Sequence, residues 1–166
     1  MSVRNFPGEL ILERFCGVER YPICRARWNL YYDATRDTMN LCIQMDAGRG
    51  TALHDDTAEL DAEPWWEIDV VAKQLSRESL VPGTVFNLPN GYEESQGGHI
   101  TDFYYCEHEN TEKNLIRVIE SDGQRLRFRV LGDVTDVSIY DGSKPRTMLH
   151  ADAWFTFDSS LKRSMT

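Results

Sequence analysis

Apolar and polar positions alternate with a period of two over most of this chain, which is the pattern of strands with one buried face. From Arg25 to Tyr32, the side chains of Ala26, Trp28, Leu30 and Tyr32 share one face, and those of Arg25, Arg27, Asn29 and Tyr31 the other. After the polar turn 33–37, Met39, Leu41, Ile43 and Met45 alternate with Thr38, Asn40, Cys42 and Gln44, so the two runs predict a hairpin. Trp66, Ile68, Val70 and Ala72 continue the rhythm against Glu67, Asp69, Val71 and Lys73. Residues 84–88, 100–108, 134–140 and 148–157 are the further predicted strands; Leu149, Ala151, Ala153, Phe155 and Phe157 share a face in the last of them. Residues 46–63 and 89–99, poor in apolar residues and holding Gly48, Gly50, Gly91, Gly97 and Gly98, are predicted as exposed loops.

The strongest local signal is Leu115 to Leu131. Asp122-Gly123 predicts a two-residue tip that pairs Glu120 with Arg125, Ile119 with Leu126 and Leu115 with Val130. That register puts Leu115, Ile119, Leu126, Phe128 and Val130 in the core and leaves Arg117 the misfit on their face. The whole pattern predicts an antiparallel all-β fold in a single globular domain over 1–166, a β-sandwich of about 8–10 strands. Thr101-Asp102-Phe103 resembles the Thr-Asp-Tyr element of lipocalin-type barrels. The resemblance covers three residues and lacks those barrels' Gly-x-Trp element, so no family is assigned from it; an up-and-down, calycin-like barrel is the alternative fold.

The 166 residues, 41% of them hydrophobic, suffice for a core without metal or disulfide support. Cys16, Cys24, Cys42 and Cys106 are expected as reduced thiols: Met1 to Leu10 lacks the apolar run of a secretory leader, and the expected location is cytoplasmic. A net charge of −9 argues against nucleic acid or an anionic membrane as partner. The charge is also uneven. Residues 50–112 hold fourteen Asp or Glu against Lys73 and Arg77 alone, whereas the rest of the chain is slightly basic.

Nucleotide-binding glycine motifs, the nucleophile elbow G-x-S-x-G and the zinc motifs H-E-x-x-H and C-x-x-C do not occur. Smaller constellations do. His54-Asp55-Asp56 could hold a divalent cation, Cys106 and His108 could form a thiolate–imidazole or metal pair, and His150 with Asp152 has general-base spacing. The plainer reading of each is a solvated loop or strand face, so no catalytic residues, metal ligands or cofactor are assigned. The doublets Tyr31-Tyr32, Trp65-Trp66 and Tyr104-Tyr105 each place one ring inside and one outside, and outward rings on one sheet would anchor a partner. These features predict a non-catalytic, inhibitor- or immunity-like interaction protein that presents an acidic, aromatic face to a basic protein surface. Its contact residues are expected to be Asp55, Asp56, Glu59, Asp61, Glu63, Trp65 and Glu67. The alternative is a small-molecule- or metal-binding β-protein, or a hydrolase, using one of the His/Asp or Cys/His pairs.

Overall fold

The computed structural model describes residues 7–164. Its strands are β1 (Gly8–Arg14), β2 (Gly17–Asp33), β3 (Thr38–Ala47), β4 (Thr51–Leu53), β5 (Trp65–Ala72), β6 (Val85–Leu88), β7 (Tyr92–Glu93), β8 (Gly98–His99), β9 (Thr101–Tyr104), β10 (His108–Glu109), β11 (Glu112–Ser121), β12 (Arg125–Val134) and β13 (Thr147–Phe157). Single 3-10 turns at Arg77–Ser79 and Glu94–Gln96 are the only helical elements among the described residues. The fold is antiparallel all-β. One sheet of eleven strands runs β10-β9-β5-β3-β2-β1-β13-β12-β11-β6, with β4 on the flank of β2, while β7 and β8 form a separate ribbon.

The expected alternation builds the core. Leu41, Ile43 and Met45 of β3, Trp66 and Ile68 of β5, and Leu149, Ala151, Ala153 and Phe155 of β13 are all buried on one face. In β2 the inward parity changes, from Tyr21 and Ile23 to Ala26 and Trp28. A register shift between Ile23 and Arg25 causes it, because an extra residue in one strand turns every later side chain over. Small residues on β13 accommodate larger ones on β12, with Ala153 opposite the Phe128 ring and Ala151 opposite Val130. Beyond the start of β1 the sheet zips directly, as Arg27 and Trp28 of β2 pair in parallel with Thr156 and Phe157 of β13.

The two ends of this open sheet are not joined by a backbone ladder. Side chains tie them instead. The Thr101 hydroxyl on β9 donates to the Thr111 carbonyl at 3.1 Å and accepts the Thr111 N–H at 2.9 Å. The Thr111 hydroxyl accepts from Trp66 Nε1 at 3.2 Å and donates to Asn114 Oδ1 at 2.6 Å, and Asn114 Nδ2 donates on to the Leu88 carbonyl. Gly132 permits this relay, since a Cβ there would lie 2.8 Å from Asn114 Oδ1 and 3.0 Å from the Trp66 ring. The Gly91 carbonyl adds bonds from the Ile100 and Thr101 amides.

Three expectations need correction. The β11–β12 hairpin pairs Glu120 with Arg127, Ser121 with Leu126 and Ile116 with Val130, with a register shift between Val118 and Glu120. Ile116 and Val118 are therefore the buried residues, and Arg117, the expected misfit, faces solvent. The tip spans four residues: the Asp122 carboxylate accepts the Gln124 and Arg125 amides, and Gly123 supplies the positive φ of 95°. Residues 135–146 form no strand, because β12 runs on to Val134 and the chain then loops back to β13. The strand expected over 100–108 breaks after Tyr104, and His108 folds back to pair with it.

Replacing Thr101 by Val keeps the shape but strands the buried Thr111 N–H, which costs about 1–3 kcal/mol. Urea denaturation of T101V should show a lower midpoint with an unchanged m-value.

Candidate functional site

Directly paired residues on adjacent strands share a face. On the outer face of β10, β9, β5, β3 and β2 the registers generate continuous rows. The first is His108–Tyr104–Trp65–Asp46–Arg25, and the next is Asp102–Glu67–Gln44–Arg27. A third, shorter row is Asp69–Cys42–Asn29, followed by Val71–Asn40–Tyr31.

The first row is open. Trp65 and Tyr104 are half-buried and His108 is exposed, with its ring tilted against Tyr104 at 5.0 Å and edge-on to Trp65 at 6.3 Å. Asp102 faces His108 Nδ1 at 2.9 and 3.0 Å, and this pair borders a hollow of 200 Å³ with His99, Thr101, Glu109 and Asn110. Beside Trp65, burial pushes the Asp46 carboxyl up, against the pull of Arg27 and Arg25. Two doublets behave as alternation requires, with Trp66 and Tyr105 buried while Trp65 and Tyr104 remain accessible; the third does not, since Tyr32, expected inside, is exposed at the end of β2. Tyr31, however, lies three rows away and accepts the Arg163 amide.

The acidic loop between β4 and β5 is held from beneath. Arg14, whose side chain is fully buried, reaches Asp136 with Nε at 3.0 Å and Nη2 at 2.9 Å, while Nη1 reaches Asp55 at 2.8 Å, Glu19 at 3.0 Å and the Thr57 hydroxyl at 2.9 Å. Glu19 in turn accepts from Tyr21 at 2.5 Å and Tyr105 at 2.6 Å. Three buried carboxylates around one guanidinium cannot all ionise freely. Burial and the neighbouring Asp55 push Glu19 up. Burial would also raise Asp55, but hydrogen bonds from Glu19, Thr57 and Cys16 outweigh it and hold Asp55 down at about 2. Asp136 is likewise held low against burial by Arg14 and by the Ser138 and Ile139 amides. The loop is anchored again where the Glu59 amide donates to the Tyr105 hydroxyl at 2.5 Å, and positive φ at His54 and Glu63 turns its corners.

The expected contact residues therefore divide. Asp56, Glu59 and Glu63 are exposed and Trp65 half-exposed. Asp61 is exposed but sits 3.2 Å from Arg49. Asp55 is buried on Arg14, and Glu67 is buried under Ser164, whose amide and hydroxyl it accepts at 2.8 and 3.0 Å. Tyr104, His108, Asp102 and Glu107 join the site from β9, β10 and the turn between them, and the signal for them was the outward phase of the Tyr104-Tyr105 doublet. The remaining constellations do not assemble. Among the described residues no three His, Cys, Asp or Glu side chains gather as a metal site. Cys106 stands in the turn rather than on the strand of His108, and Asp152 is occupied by Arg127 and Arg129 while His150 faces Glu13. All four cysteines are unpaired.

No family model, no curated protein and no solved structure matches the chain.

Replacing Arg14 by Met leaves the buried carboxylates uncompensated and should destabilise the protein by about 3–5 kcal/mol. The pH dependence has a definite sign. Asp55 and Asp136 contribute stability above the ordinary carboxyl value of 3.8, and it is lost as pH falls through their depressed folded values, which for Asp55 is about 2. Glu19 acts oppositely, its stabilisation present below 4.5 and lost as pH rises. Urea midpoints measured between pH 6 and pH 2.5 should therefore fall towards acid, and D136N should shrink that fall.

Proposed function

We propose that this is a non-catalytic binding protein whose outer face around Trp65, Tyr104 and His108 receives a positively charged protein surface. The observation that carries the reading is the unbroken cross-strand row of those three side chains, entered from two loops that carry exposed carboxylates. Asp56, Glu59 and Glu63 precede β5 and Glu107 precedes β10; among the described residues none of the four has an ion-pair partner. Glu59 and Glu107 stand close enough to act on one thiol, since after burial their charges push Cys106 up. Trp and Tyr offer large rigid contact area and attract cations over their faces, and unpaired carboxylates speed the approach of a basic partner.

A small-molecule or hydrolase site has one observation in its favour, the imidazole of His108 oriented by Asp102 beside a hollow. A hydrolase also needs a nucleophile in reach. Among the described residues the only hydrogen-bond partners of His108 are the Asp102 oxygens, which favours the binding role.

A fluorescein-labelled peptide of nine residues carrying three arginines serves as probe. Its affinity should fall at least tenfold between 50 and 300 mM NaCl, and at least tenfold in W65S or in the charge reversal D56K/E59K/E63K. Affinity indifferent to both salt and substitution would overturn the reading.

A further inference from the structure

The outer face of β2, β3 and β5 is polar yet buried. Asn29, Asn40, Cys42, Gln44, Glu67 and Asp69 all point away from the apolar core, and none is exposed. The C-terminal residues 158–164 cover them, crossing the sheet as a strap without adding a strand. At one end Asp158 pairs with Arg27 at 2.9 Å and its amide donates to the Trp28 carbonyl. In the middle, Asn29 Nδ2 reads the Ser159 and Leu161 carbonyls at 3.3 and 2.9 Å. At the other end the Arg163 guanidinium meets Asp69, with Nε at 2.8 Å and Nη2 at 2.7 Å, and Nη1 donates to the Gln96 carbonyl at 3.0 Å. Asp69, with no exposed side-chain surface, also accepts from Tyr31 at 3.0 Å and Asn40 at 2.9 Å.

We propose that residues 158–164 are an internal stand-in for a ligand: the groove beneath them recognises an extended, arginine-bearing segment, and Arg163 holds its socket until a competing arginine displaces it. The inference rests on reading the same outer face as a docking surface and extends it from the open row to the covered ones.

Four features support it. The strap is gripped by side chains that read its backbone, together with a charge pair at each end, Asp158 on Arg27 and Arg163 on Asp69, of which only the second is fully buried on the sheet side. Its release breaks one backbone hydrogen bond to the sheet, from the Asp158 amide to the Trp28 carbonyl, and none among β2, β3 and β5, so the sheet beneath survives. Without Arg163, Asp69 and Glu67 would face each other two positions apart, with Asp102 directly opposite Glu67, and that grouping demands a replacement cation. A hollow of 410 Å³ lined by Tyr31, Asp33, Arg36, His99, Lys162 and Arg163 opens beside the guanidinium; Asp33 pairs with Arg36 there, and the hollow gives a competing side chain a way in past Lys162.

Cys42 reports on the strap, being buried beneath it between register partners Asn29 and Asp69, whereas Cys24 and Cys106 are exposed. In the full-length chain, N-ethylmaleimide should label Cys24 and Cys106 quickly and Cys42 slowly, read by peptide mass mapping. R163A should speed Cys42 labelling at least tenfold, while hydrogen exchange at the Ile43 and Ile68 amides stays slow and shows the sheet intact. A fluorescein-labelled nonapeptide of residues 158–166 should bind full-length R163A at least tenfold more tightly than the wild type and restore Cys42 protection. The same peptide with Lys in place of Arg163 should bind at least tenfold more weakly, and R163A/D69N, its fold checked by the same exchange, should lose the binding. Unchanged Cys42 labelling in R163A, or an opened chain that ignores the nonapeptide, would overturn the proposal. If the nonapeptide binds as expected but the tri-arginine peptide is indifferent to W65S, only the docking role of the open row fails.

Discussion

Asp69 is a carboxylate on the outward side of a strand with no contact with water, and much of the surrounding architecture follows from neutralising it. An uncompensated ion there would cost several kcal/mol. Three groups from three places meet it: Tyr31 on β2, Asn40 on β3 and Arg163 from the far end of the chain. The first two come from neighbouring strands and orient the oxygens, while only Arg163 brings charge. A segment with no strand or helix of its own thereby becomes the lid of one sheet face. Glu67, one outward position back along β5, repeats the arrangement with Ser164 and Gln44.

Arg14 solves the mirror problem at the other end of the molecule. There the cation belongs to a strand and the anions arrive from loops, Asp55 from the acidic segment and Asp136 from the β12–β13 connection. The consequence differs accordingly. Arg14 fastens two loops to the core and fixes the platform from which Asp56, Glu59 and Glu63 project, whereas Arg163 fastens a segment that adds no strand to the sheet.

The period-two rhythm made most of the fold legible, and β3, β5 and β13 lie where alternation put them. Register was less legible, since the irregularity between Val118 and Glu120 shifts β11 by one residue and no local pattern announces it. The misfit of Arg117 was the available clue, because a register that buries an unpaired arginine asks to be slipped. The ion clusters were invisible for a different reason: Arg14 meets Asp55 and Asp136 across sequence separations of 41 and 122. A subtler signal did exist for the strap. Past Arg25 and Arg27, the outward positions of β2, β3 and β5 read Asn29 and Tyr31, Asn40, Cys42 and Gln44, and Glu67 and Asp69, which is polar without a single long cation. A solvated face favours long charged chains, while amides, a thiol and short acids suit a face whose polar groups are matched one by one.

The acidic excess of residues 50–112 thus has three destinations rather than one. Asp55, Glu67 and Asp69 are consumed in burial, and Asp61, Asp102 and Glu112 sit opposite Arg49, His108 and Arg146. Asp56, Glu59, Glu63 and Glu107, together with Glu78, Glu93, Glu94 and Glu109, have no ion pair among the described residues and remain to project a field, because a paired charge presents little net potential at a distance. Along β5 the outward residues are Trp65, Glu67 and Asp69: an open ring, a carboxylate under the last residue of the strap, and a carboxylate under its arginine. Glu67 thus stands at the boundary between the open and the covered halves of the face, one outward position from the accessible Trp65 ring and one from the buried Asp69, and it is Ser164 and Gln44 that satisfy its oxygens there.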